Sequence, residues 1–146
     1  MDKNTVYNLF QEHKDLTLNG YFYVEPGRKP YEDTEEELRS AHNLKSYQYI
    51  HEFLDILQDH GVFLKNPNRK GVTSYGWKHR VEDYTCKDND KNIWHHIPNG
   101  LFIAVLRERG LPERQIDGGP NAFVPLGHKA YDLVEKLCRE WKRKSA

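Results

Sequence analysis

The chain has 146 residues, enough for one domain with a sizeable core. Charged residues make up 30% and apolar ones 37%, but 9 Tyr, 6 Phe and 3 Trp are too many aromatics for a disordered chain. Twenty-two acidic and 22 basic side chains give zero net charge, which excludes the strongly basic composition of a non-specific nucleic-acid coat.

The charge is unevenly spread. Residues 1–64 hold 12 acidic and 6 basic side chains, and residues 65–146 hold 10 and 16. That split predicts an acidic face and a basic face, the basic one suited to an anionic partner. No apolar run approaches the ~18 residues that span a membrane. Residues 1–16 alternate charged and apolar positions and lack the apolar centre of a signal peptide. The expected compartment is therefore the cytoplasm, with Cys86 and Cys138 as reduced thiols. No Cys-x-x-Cys pair is present to build a zinc or redox site.

Taken in chain order, Val6, Leu9 and Phe10 predict a short helix over 5–16. The run 20–25 is aromatic and β-branched and predicts a strand, stopped by Pro26-Gly27. Asp33 or Thr34 reads as an N-cap before Glu35, Glu36 and Glu37, acids that the helix dipole favours in a first turn. Ile50, Phe53, Leu54 and Leu57 predict an amphipathic helix over 46–60, closed by Gly61. Val62-Phe63-Leu64 is a brief extended segment, and 66–71 is a loop rich in turn formers that reads as a hinge or as a boundary between the two halves. Ser74 caps a helix over 74–84, followed by an exposed loop over 85–92 in which Cys86 is the first thiol. Asn99 caps a helix over 99–109 whose residues Leu101 to Leu106 are apolar on every side, the mark of a central element. A hairpin over 113–126 turns at Asp117-Gly118-Gly119-Pro120, and a last helix over 129–142 buries Ala130, Val134, Leu137 and Trp141. The expected fold is α+β: one mostly helical domain, 1–146, with an acidic half at 1–64 and a basic helix-helix-hairpin-helix module at 74–146.

Three phrases lie within that module: Ser74-Tyr75-Gly76-Trp77-Lys78-His79-Arg80-Val81-Glu82, Asn99-Gly100-Leu101-Phe102-Ile103-Ala104, and Pro120-Asn121-Ala122-Phe123. They resemble the phrases Ser-Tyr-Gly-x-Lys-His-x-x-Glu, Asn-Gly-x-Phe-Ile-x-Ala and Pro-Asn-Ala-x-Phe of an uncharacterised family of small phage and mobile-element proteins. The resemblance covers about the C-terminal half. It implies a mobile-element context and carries no activity with it.

Candidate chemistry comes from two sets of residues. The first is a binding set: Lys78, Arg80, Arg107, Arg109 and Arg114, with Tyr75 and Trp77 beside them. These types suit an interface, since Tyr, Trp and Arg bury large area at low entropic cost and cations meet phosphates. Tyr21, Tyr23, Tyr31, Tyr47, Tyr49 and Trp94 add to an aromatic surplus beyond what one small core hides. The second set is His79, Glu82, His95 and His96, which together offer acid–base groups. His79, His95 and His96 also carry imidazoles of the kind that bind zinc or manganese, as a small metal-dependent nuclease would need. At i, i+3, however, His79 and Glu82 are more simply an ion pair. Helix, helix and hairpin follow a winged-helix order, but the second helix is too apolar to read a groove. No Gly-rich phosphate loop or dinucleotide fingerprint is present, so no cofactor is expected. The expected role is a non-catalytic, anti-defence type of inhibitor. It would engage a host protein or ribonucleoprotein complex that processes nucleic acid, or DNA or RNA directly, and no membrane.

Overall fold

Residues 2–88 and 93–145 are described by a computed structural model of the chain. Six α-helices and two antiparallel two-stranded sheets lie among them: α1 Thr5–Glu12, β1 Leu16–Thr17, β2 Gly20–Tyr21, α2 Glu35–Leu38, α3 Ala41–Asp59, α4 Ser74–Thr85, α5 Asn99–Glu108, β3 Arg114–Gln115, β4 Ala122–Phe123 and α6 His128–Ser145. The architecture is the mostly helical α+β type expected. No described helix is long and apolar enough to cross a membrane.

Helix α5 is the axis of the molecule. All residues from Asn99 to Leu106 are buried, and α1, α3, α4, β1 and β2 pack around it. A helix apolar on every side has no solvent face, so neighbours must cover it all round. One apolar cluster joins Val6, Leu9 and Phe10 of α1, Ile50, Phe53 and Leu57 of α3, Trp77 and Val81 of α4, and Val134 and Trp141 of α6. Burial of α5 also removes it as a groove-reading helix.

Several elements differ from expectation for local reasons. Helix α3 begins at Ala41 because Ser40 caps it, its Oγ accepting from the Asn43 amide at 3.1 Å. Of the two N-caps expected for α2, Thr34 takes the role, in a capping box: its Oγ accepts from the Glu37 amide and Glu37 reaches back to Thr34. Helix α1 stops at Glu12, and the chain turns into a β1–β2 hairpin with Leu16 opposite Tyr21 and Thr17 opposite Gly20. The strand expected over 20–25 is thus only two residues long, and Phe22 and Val24 are exposed. In the second hairpin Arg114 faces Phe123, and Asp117 and Gly118 turn the chain with positive φ. In the 66–71 loop the Asn68 amide donates to Val124 O and its side chain to Leu126 O. Thr85 belongs to α4 and Cys86 is buried in a 3-10 turn, so the exposed loop begins no earlier than Lys87; residues 89–92 lie outside the described set.

Candidate functional site

The three phrases meet in space. Neither Ser74 nor Asn99 caps its helix; those N-caps are Thr73 and Pro98, without side-chain bonds. Each side chain instead ties one phrase to another. Ser74 Oγ accepts from the Ala122 amide at 2.9 Å, joining α4 to β4. Asn99 Nδ2 donates to Asn121 Oδ1 at 3.0 Å, to Pro120 O at 3.3 Å and to Asn19 O at 3.2 Å, joining α5 to both hairpins. Gly100 lets the first hairpin reach the helix. Its amide donates to Leu18 O at 2.8 Å, and a Cβ there would run into the Thr17 carbonyl.

Glu82 is the node of the site. It is 2% exposed and is approached by four donors. Its Oε2 accepts from Lys78 Nζ at 3.1 Å and from the Ile97 amide at 2.9 Å, and His96 Nδ1 lies 3.3 Å away. Its Oε1 accepts from His79 Nδ1 at 2.6 Å. Burial pushes the Glu82 pKa up, but the Ile97 amide, His79 and Lys78 outweigh it and hold the carboxyl below its usual range. An ionised carboxylate beside Nδ1 favours the hydrogen on that nitrogen in His96, which leaves its Nε2 as an acceptor.

The segment 94–97 is fastened to α3 and α4 by further bonds. The His95 amide donates to Thr85 Oγ1 at 2.8 Å, and Ser46 Oγ donates to His96 O at 3.1 Å. His42 Nε2 also donates to His96 O, at 2.9 Å. The His95 ring stacks on that of His42 at 3.9 Å and its Nε2 donates to His42 O at 3.0 Å. Partial burial first, then the neighbouring His42, lowers the His95 pKa. Partial burial and the Lys78 charge likewise lower that of His96, so both rings are neutral at pH 7.

Beside this node lies a cleft of about 420 Å³, walled by Tyr31, His42, Tyr75, Lys78, His96 and Asn99. Tyr75 is 51% and Tyr31 41% exposed, whereas Lys78 is only 4% exposed. The Lys78 ammonium lies 5.1 Å from the centre of the Tyr75 ring, which also packs edge-on against His79. Tyr31 borders a second depression shared with Phe22. Asn99 Oδ1 is buried without a hydrogen-bond partner among the described residues.

The sequence-predicted residues fare differently. Of the binding set, Tyr75 and Arg114 are exposed, but Trp77 is a core residue at 1% exposure, packed against Phe53. Lys78 is spent on Glu82, Arg80 on Glu135 and Asp83, Arg107 on Asp15 and Glu113, and Arg109 on Asp55. Those cations are neutralised where they stand, and the basic face expected of the C-terminal half is not formed by them. Of the histidine set, His79, Glu82 and His96 meet at one point, while His95 turns to Ser46 and His42. Among the described residues no group of three or more His, Cys, Asp or Glu is arranged to hold a metal ion. His42 went unnoticed in the sequence because it sits on the polar side of α3, and nothing local marks it as the neighbour of residues 54 positions away. No protein-family model, curated protein or solved structure matches the chain.

Proposed function

We propose that the chain is a binding protein of phage or mobile-element origin that engages a host nucleic-acid-processing complex through the Tyr31–Tyr75 cleft. One observation carries this reading: two exposed tyrosines flank a nearly buried lysine and an exposed histidine in a cleft lined by residues of the first two phrases, where Asn99 of the wall bonds to Asn121 of the third. Exposed aromatics around a polar floor are the composition of a recognition hot spot, because they bury area with few rotatable bonds. The contact surface therefore shifts to the cleft from Arg80, Arg107 and Arg109, which are ion-paired. The mobile-element context comes from the sequence resemblance.

Affinity capture from host lysate with the tagged chain, with and without nuclease treatment, tests the reading. A complex that survives nuclease and is lost with Tyr75→Ala and Tyr31→Ala supports it. Capture that is unchanged in both variants refutes the cleft as the contact surface. Capture lost on nuclease treatment makes nucleic acid itself the target.

A further inference from the structure

His96 combines three properties seldom found together by accident. Its side chain is 66% exposed and lines the cleft, its Nδ1 faces a buried ionised carboxylate, and a lysine ammonium is bound to the same carboxylate oxygen. A carboxylate holding Nδ1–H orients the ring and leaves Nε2 as a base. A second imidazole, His42, lines the same cleft with its ring 6.3 Å from that of His96. With His96 Nδ1 turned to Glu82 and His42 Nε2 turned to His96 O, the nitrogens left to meet a phosphate group in the cleft are His96 Nε2 and His42 Nδ1. The described lining contains no serine, threonine or cysteine to act as nucleophile. A substrate that brings its own nucleophile fits such a site, and RNA carries a 2′-hydroxyl next to every phosphate. Tyr31 and Tyr75 supply aromatic faces on which unpaired bases stack.

We propose that this cleft cleaves single-stranded RNA by transphosphorylation, with His96 as base, His42 as acid and Lys78 as stabiliser of the phosphorane. His96 Nε2 takes the proton of the 2′-hydroxyl as O2′ bonds to phosphorus. The P–O5′ bond breaks, and the leaving 5′-oxygen takes a proton from protonated His42. The products are a 2′,3′-cyclic phosphate and a 5′-hydroxyl, with no water consumed and no redox change. The two histidines regain their starting states by proton exchange with solvent. Lys78, which lines the cleft and whose Nζ is bonded to Glu82, faces the extra negative charge on the non-bridging oxygens. The titratable groups around His96 are Lys78, Glu82 and His42, with Glu37 and the two tyrosines elsewhere on the cleft wall.

The inference rests on the cleft being the contact surface and adds an activity to it. Its test uses a fluorogenic DNA oligonucleotide carrying one ribonucleotide, in the presence of a metal chelator, with an all-DNA oligonucleotide as control. The expected result is cleavage at the ribonucleotide alone, leaving a cyclic phosphate identified by mass spectrometry. Replacing an acid–base group costs about 10²–10⁴-fold, so His96→Ala and His42→Ala, purified in parallel, should each fall by that much. Both side chains are exposed, and circular dichroism checks that the variants fold. No cleavage, or cleavage undiminished in His96→Ala, overturns the inference. Partner capture that depends on Tyr75 without RNA cleavage would sink this activity alone; loss of both would sink the cleft reading as well.

Discussion

Glu82 shows how one buried charge is kept. A carboxylate at 2% exposure is costly unless every lone pair is used, and here Lys78, His79, His96 and the Ile97 amide share them. Glu82→Ala strands the Lys78 ammonium and the Ile97 amide together. Breaking a buried pair in this way costs about 3–5 kcal/mol, which chemical denaturation would read. Lys78→Met should cost less, because the carboxylate keeps the Ile97 amide and the His79 ring as partners. The same substitution removes the positive charge that lowers the His96 pKa, so that value should rise. An NMR titration of the His96 ring that is unmoved by Lys78→Met would show that the two do not interact.

Among the elements, α5 and the β1–β2 hairpin depend on a backbone approach that only glycine permits. At Gly100 an added methyl meets the Thr17 carbonyl and the Gly20 amide, both main-chain atoms held in the hairpin. Neither can rotate away as a side chain could. Gly100→Ala should therefore cost at least the ~1–3 kcal/mol of an overpacked core, read as a drop in Tm of about 2–4 °C per kcal/mol for a chain of this size. Gly119→Ala is the control: its Cβ would meet only Ile116 O, at an ordinary 3.5 Å. Equal losses from the two substitutions would contradict the close contact at Gly100.

Across the whole molecule, the charge asymmetry is used internally. Arg107 crosses from the basic half to Asp15 at 2.8 Å, and Arg109 crosses to Asp55 at 2.7 Å. Tyr84 and Glu52 join the halves in the same way at 2.7 Å. The acidic and basic halves are thus complementary surfaces of one core, more than two faces turned to partners. The pH dependence of stability follows from the two histidines with lowered pKa. Below the usual imidazole value of 6.5 the unfolded chain takes up protons that folded His95 and His96 resist. Stability is complete above that value and falls as pH drops through the window down to the folded values. Among the carboxylates, Asp15 and Glu82 are lowered while Asp33 and Asp83 are raised, so their contributions oppose one another at lower pH. Denaturation midpoints at pH 7.5 and 5.5 should differ in wild type, and the difference should shrink in His95→Gln, where only His96 remains of the two. A midpoint that does not change with pH in the wild type would contradict the neutral state of these rings.

By itself the sequence determined what depends on neighbours along the chain. The spacing of Ile50, Phe53, Leu54 and Leu57 set the buried face of α3, and the unbroken run from Leu101 to Leu106 marked α5 as the central helix. The turn at Asp117-Gly118 placed the second hairpin, and a cap at Asp33 or Thr34 before three glutamates placed the start of α2. Each is a local preference, legible because the partners lie within a few residues of one another. Tertiary structure decided the roles of Ser74 and Asn99, which look like caps in sequence but bond to residues 48 and 22 positions away. It also decided which cations are spent in ion pairs, and that His42 and Tyr31 share a cleft with His96. A polar side chain satisfies itself with whatever group the packing of the core brings near, and the packing of α5 against both hairpins is not encoded in any one segment. The helices could thus be read from periodicity, whereas the site formed where separate segments were brought together around one buried carboxylate.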